Sequence, residues 1–157
     1  MPQPPILKIA EIFPSLQGEG LRQGEATLFI RLSGCNLKCS FCDTKYAWKN
    51  GRQLPTDQVL EKIRKLRPRF PAEWVCLTGG EPLLQDIHDL VRGLKEEGFK
   101  VQVETNATHY LPLPVDWYSI SPKPQKYFFQ PQYREKAKEV KLVVTRNLNL
   151  ELIQKLR

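Results

Sequence analysis

Apolar runs of strand length alternate with stripes of helical period through the middle of the chain, and this alternation limits the fold more than any other feature. Residues 74–78 read as a buried strand, and Leu84, Ile87, Leu90, Val91 and Leu94 follow at helical spacing, with Gly98 placed to end the helix. Phe99, Val101 and Val103 then begin another strand. Upstream, Val59, Leu60, Ile63 and Leu66 share one helical face, with Thr56 as N-cap and Pro68 beyond the end. Strand, helix, strand, helix, strand predicts a parallel sheet with helices packed outside it.

The flanks extend the pattern. Residues 6–13 and Ala26–Leu32 are short apolar segments around Gly18, Gly20 and Gly24, which predicts two strands joined by a loop. Residues 115–120 and 140–144 are two more predicted strands, and a last helix over 150–156 follows Asn147 and Asn149. In parallel sheets the loops after the strands' carboxyl ends build the site. Four distinctive groups occupy such loops: the cysteines after Leu32, Gly79 to Pro82 after Thr78, Glu104 to Asn106 after Val103, and Ser121 to Lys123 after Ile120. Their predicted meeting place is one rim.

At 157 residues the chain suits one domain with a single core. The net charge of +7 is spread over scattered lysines and arginines, which describes a solvated surface and does not point to nucleic acid. The proline-rich start lacks the layout of a signal peptide, and no apolar run approaches membrane-spanning length. A cytoplasmic protein with no membrane contact is expected, in keeping with cysteines that read as ligands and not as disulfides.

Cys35, Cys39 and Cys42 are separated by three residues and then by two. An iron–sulfur cube takes one outside ligand at each iron, so a set of three cysteines leaves one iron open for chemistry. A structural zinc site is disfavoured, because it needs a second ligand pair that four cysteines and two histidines do not supply. A thioredoxin-like pair at Cys39 and Cys42 gives no role to Cys35. Cys76 lies in an apolar run and reads as a small buried hydrophobe.

The three cysteines, Phe41 before the last of them, and Gly79, Gly80, Glu81 and Pro82 after the next strand resemble the radical S-adenosylmethionine superfamily. Leu16, Gln17, Gly18, Glu19 and Gly20, with Arg31 and with Asp43 and Thr44 directly after the cysteines, resemble within it the 7-carboxy-7-deazaguanine synthase family. The resemblance implies an α/β fold, an incomplete (β/α)6-type partial barrel with parallel strands and outer helices, and one radical S-adenosylmethionine core domain over residues 1–157. It implies ring contraction of 6-carboxy-5,6,7,8-tetrahydropterin to 7-carboxy-7-deazaguanine with release of ammonia, on the route to queuosine. A 4Fe-4S cluster on Cys35, Cys39 and Cys42 and S-adenosyl-L-methionine would supply a 5′-deoxyadenosyl radical, and the protein would position and shield it.

By the same resemblance, Phe41, Cys42, Asp43, Gly79, Gly80, Glu81, Ser121, Pro122 and Lys123 contact S-adenosyl-L-methionine. The glycines would admit the cofactor's ammonium to main-chain oxygens, with Glu81 adding a nearby charge. Leu16, Gln17, Gly18, Arg31 and Thr78 contact the pterin, whose carboxylate suits the guanidinium fork of Arg31. Thr44 corresponds to the Mg2+ position, where a hydroxyl suits a hard cation. A flavodoxin- or ferredoxin-type electron donor and a homodimer are further implications. The resemblance also implies a further strand and a closing segment beyond residue 157, so poor coupling of cofactor cleavage to product is expected of the chain as it stands. Two alternatives are an activating enzyme that makes a glycyl radical on a partner protein, for which Leu16 to Gly20 and Arg31 have no use, and a non-catalytic iron–sulfur or zinc module, which does not require Gly79 to Pro82.

Overall fold

The structure, a computed structural model, describes residues 4–156, so Met1, Pro2 and Gln3 of the proline-rich start lie outside the described residues. Its strands are β1 (Ile6–Leu16), β2 (Ala26–Leu32), β3 (Arg52–Pro55), β4 (Trp74–Gly79), β5 (Lys100–Thr105), β6 (Trp117–Ile120) and β7 (Ala137–Val140). They form one seven-stranded sheet in the order β3-β1-β2-β4-β5-β6-β7. From β2 to β7 every neighbouring pair is parallel. The predicted parallel sheet is therefore present, but β1 runs antiparallel to both β2 and β3. For the β1–β2 pair the reason is connection length: the short loop between them makes a hairpin, whereas a parallel pair needs a crossover of a dozen or more residues.

Alternation along the strands separates two faces. Leu28, Ile30 and Leu32 of β2, Val75 and Leu77 of β4, and Val101 and Val103 of β5 are fully buried in one apolar core. Over them pack Val59 and Ile63 of α1 (Thr56–Leu66) and Leu90, Val91 and Leu94 of α2 (His88–Glu96). The intervening Phe29, Arg31, Thr78 and Glu104 face a cavity on the other side of the sheet. The strands thus deliver polar side chains to the cavity without opening the core.

Several boundaries differ from the sequence reading. Pro55 holds the cap position of α1, and Thr56 is its first helical residue, with a hydroxyl that donates to the Pro5 carbonyl at 2.9 Å. Leu84 ends a 3-10 turn (Pro82–Leu84) and α2 starts only at His88. Of the predicted strand 140–144 only Val140 belongs to β7, because the Lys141 N–H to Ile120 carbonyl bond, at 2.8 Å, uses the last residue of β6. The polar strand β3 and the single turn α3 (Tyr133–Lys136) carry no apolar run and were not predicted. The last helix, α4 (Leu150–Lys155), is capped by the Asn149 side chain, which accepts from the Leu152 N–H. Among the described residues no helix is long and apolar enough to cross a membrane.

Candidate active site

A cavity of about 730 Å³ runs along the inner face of the sheet. Cys35, Cys39, Phe41, Cys42, Asp43 and Thr44 line it from the loop after β2, Gly79 and Gly80 from the end of β4, and Ser121 and Lys123 from the segment after β6. Leu16, Gln17, Gly18, Arg31 and Thr78 line it as well. Glu81 and Pro122 do not.

The cysteine loop is shaped by its own backbone. Gly34 and Lys38 have φ of 103° and 48°, so the chain turns sharply on both sides of Cys35. Gly34 donates to the Ala47 carbonyl at 2.8 Å, and Cys42 donates to the Cys39 carbonyl at 3.1 Å. All three thiols are free, with Cys39 buried and the other two half-buried. Among the described residues no three His, Cys, Asp or Glu side chains converge as ligands of a single metal ion do. An iron–sulfur cube does not ask for that convergence, because it spreads three thiolates over three irons; three free cysteines on one cavity-lining loop fit such a group.

Gly79 and Gly80 also meet a packing requirement that the sequence reading did not include. A Cβ on Gly79 would stand 2.6 Å from the Leu32 carbonyl oxygen, and one on Gly80 would collide with the Gly34 carbonyl. The glycines therefore let β4 close onto the end of β2 and the start of the cysteine loop. Glu81 completes the joint: its N–H donates to the Gly34 carbonyl at 2.7 Å. Its carboxylate is fully buried and accepts from the Leu83 N–H at 3.1 Å, the Thr105 hydroxyl at 2.7 Å and the Asn106 N–H at 2.7 Å. Burial pushes this carboxyl up, and the donors only partly offset it. Glu81 thus braces the turn against β5 instead of lending charge to the cavity.

Two polar clusters reach the wall, the first through Arg31 and the second through Gln17, Thr78, Glu104 and Lys141. In the first, Arg31 donates from Nε to Glu11 at 2.7 Å and from Nη1 to the Gly79 carbonyl at 3.0 Å, and the Tyr46 hydroxyl donates to the same Glu11 oxygen at 2.5 Å. Burial raises the Glu11 carboxyl, but the Tyr46 hydroxyl and the Arg31 guanidinium outweigh it and hold it below the usual carboxylate range. In the second, Glu104 accepts from Gln17 Nε2 at 3.1 Å, from the Thr78 hydroxyl at 3.2 Å and from Lys141 Nζ at 2.9 Å. Lys141 also meets Glu19 at 3.2 Å. Burial alone would lower its ammonium; the charges and hydrogen bonds of Glu104 and Glu19 outweigh that and keep it above the ordinary value.

Neither Lys141 nor Asn36 stood out in the sequence. Asn36 accepts from Asn106 Nδ2 at 3.1 Å and donates to the Thr108 hydroxyl at 3.0 Å, which pins the cysteine loop to the segment after β5. Lys141 sits in a stretch of mixed charged and apolar residues, 136–144, that looks like any exposed strand. Position between two cysteines was the only signal for Asn36. Lys123, by contrast, donates to the Ser121 hydroxyl at 2.8 Å, at the cavity edge where the sequence put it.

Comparison with known proteins matches residues 29–123 to the Radical SAM superfamily. The 7-carboxy-7-deazaguanine synthase of Bacteroides thetaiotaomicron is 48% identical over 116 residues, covering 74% of this chain and 60% of that protein. That of Aquifex aeolicus is 34% identical over 158 residues, covering 96% of this chain and 70% of that protein. The crystal structure of QueE from Escherichia coli matches with a TM-score of 0.85 at 31% identity, over 96% of this chain and 77% of that one. The chain spans 60% of the Bacteroides protein and less than half of the 7-carboxy-7-deazaguanine synthases of Hyperthermus butylicus and Methanospirillum hungatei, 46% and 43%. A matched superfamily core over more than half of the chain, and two relatives at 34% and 31% identity of which the chain covers 70% and 77%, lead to one conclusion: the chain belongs to the radical SAM superfamily and, within it, to the 7-carboxy-7-deazaguanine synthase family.

Proposed function

We propose that this protein is a 7-carboxy-7-deazaguanine synthase, a lyase that contracts 6-carboxy-5,6,7,8-tetrahydropterin to 7-carboxy-7-deazaguanine with loss of ammonia. The observation that carries this reading is that one cavity is lined both by the cysteine loop and by Gln17, Arg31, Thr78 and Glu104. Its superfamily works with a 4Fe-4S cluster and S-adenosyl-L-methionine, which when bound supply a hydrogen-abstracting radical. Cys35, Cys39 and Cys42 would hold the cluster. Phe41, Asp43, Gly79, Gly80, Ser121 and Lys123 would bind and orient S-adenosyl-L-methionine, with Glu81 keeping the turn in place. Arg31, fixed by Glu11 and the Gly79 carbonyl, would offer its other N–H groups to the pterin carboxylate. Leu16, Gln17, Gly18 and Thr78 would close on the ring system.

Thr44, whose hydroxyl lies 3.6 Å from the Cys42 sulfur at the cavity wall, is the proposed ligand of a Mg2+ ion that also meets the substrate carboxylate. The reading further includes one core domain, a homodimer, a flavodoxin- or ferredoxin-type electron donor and a cytoplasmic setting. The decisive experiment is anaerobic incubation of the reconstituted protein with S-adenosyl-L-methionine, dithionite and the carboxypterin. The deazapurine chromophore should appear in the ultraviolet spectrum; cofactor cleavage with no deazapurine over many turnovers would rule the synthase reading out.

A further inference from the structure

The loop after β1 leaves the sheet beside the start of β2, where Leu16 pairs with Ala26, yet its side chains reach strands at the far side of the sheet. Gln17 Nε2 meets Gln102 at 3.3 Å and Glu104 at 3.1 Å on β5. Arg22, buried and stacked over Trp74 with its guanidinium carbon 3.5 Å from the ring centroid, donates to Gln102. Farther on, the Leu21 N–H donates to the Glu139 carboxylate of β7 at 2.7 Å. Glu19 meets Lys141 just beyond β7 at 3.2 Å. The loop therefore runs along the cavity as a strap from β1 to β7.

Lys141 is where the strap and the cavity wall share one group. Its ammonium is mostly buried, contacts Glu19 of the strap and Glu104 of β5 at once, and lines the cavity. Glu104 in turn receives Gln17 and Thr78, residues of the same wall. An amine within 3.2 Å of both carboxylates neutralises two charges that would otherwise face each other across a half-buried space. Removing it leaves Glu104 with neutral donors only and frees Glu19, whose side chain is 71% exposed, to turn into solvent.

We infer that Lys141 is a positioning residue: it pins the strap carrying Leu16, Gln17 and Gly18 to β5 and so fixes the substrate end of the cavity, without belonging to the cofactor end. This rests on the synthase reading for what the cavity binds, though not for the strap itself. Lys141→Met should therefore weaken the carboxypterin about tenfold to a hundredfold while S-adenosyl-L-methionine binding and kcat move little. Lys141→Arg, which keeps a charge able to reach both carboxylates, should restore most of the loss.

The test has two independent readouts on the cluster-loaded protein. Amide hydrogen exchange over residues 17–25, above all at Leu21, should quicken by about tenfold or more in Lys141→Met and by less in Glu19→Gln, with α2 amides unchanged. Titration with carboxypterin and with S-adenosyl-L-methionine should show the split in affinity. Unchanged exchange in the strap overturns the inference, as does equal weakening of both ligands; if Lys141→Met does not fold, Glu19→Gln decides alone. A wild-type protein that binds S-adenosyl-L-methionine but not the carboxypterin would overturn the synthase reading instead, and the exchange data would still decide the role of Lys141.

Discussion

Glu81 shows how a recognisable residue can serve an unexpected end. Its carboxylate satisfies two buried backbone N–H groups and a hydroxyl, so Glu81→Gln must turn an NH2 toward a donor and leave one of them unpaired. The expected loss is about 1–3 kcal/mol of unfolding free energy at neutral pH, read by urea titration. The pH dependence has a definite sign. Because burial raises the folded-state carboxyl, the wild type is most favoured below the ordinary value of 4.5 and loses stability relative to Glu81→Gln as pH rises through the folded value. A difference between the two proteins that grows in the opposite direction would refute this account. The sequence singled out Glu81, as it did Gly79 and Gly80, but not the direction of its side chain. That direction depends on β5 lying beside β4, a contact with no local signature. Arg31 is a similar case: its charge was legible, but its bonds to Glu11 and the Gly79 carbonyl arise from strand register.

Elements with an internal period were the easiest to read. The stripes of α1 and α2 face the core as their spacing requires, and Gly98 follows α2 with φ of 80°, its N–H bonded to the Lys95 carbonyl and the Phe99 N–H to the Leu94 carbonyl. Open space surrounds Gly98, so Gly98→Ala would meet no clash and would register only the left-handed backbone. A loss of about 1–2 kcal/mol is expected in urea or thermal unfolding; no loss would mean the helix end rearranges freely. Elements defined by pairing were harder. The apolar stretch 140–144 reads as a strand, yet β6 ends at Ile120 and offers nothing further to bond. The strand β3 is polar and exists because the edge of β1 between Ile6 and Ile9 takes it up. Composition cannot report a partner that lies elsewhere in the chain.

Across the whole molecule, the alternation of strand and helix predicted the parallel part of the sheet, and the motif-bearing loops do meet on one cavity. The reach of the strap from β1 to β7 was not legible, because it joins residues more than a hundred positions apart through a lysine with ordinary surroundings in sequence. The distribution of cysteines gives a test at this scale. Cys35→Ala, Cys39→Ala and Cys42→Ala should each abolish the iron–sulfur absorption and paramagnetic signal of reconstituted protein, while Cys76→Ala keeps it. Cys76 is fully buried in β4, and burial pushes its thiol well above the ordinary range, away from the thiolate a metal needs. Retention of a full cluster in Cys39→Ala would remove the basis for the iron–sulfur assignment.

The close approach of Gly80 to the Gly34 carbonyl also bears on the order in which the molecule assembles. The β1–β2 hairpin is local and can form early, but β2 and β4 are neighbours only after residues 33–73, cysteines included, have been looped out between them. Until β4 arrives, nothing from Gly80 or Glu81 holds the first turn of the cysteine loop. The nascent chain therefore presents its three thiols on a loose tether, and the site sharpens in the late, long-range step that closes the sheet. A cluster that captured these cysteines before that step would shorten the loop that β4 must close, and so would couple loading of the centre to completion of the parallel sheet.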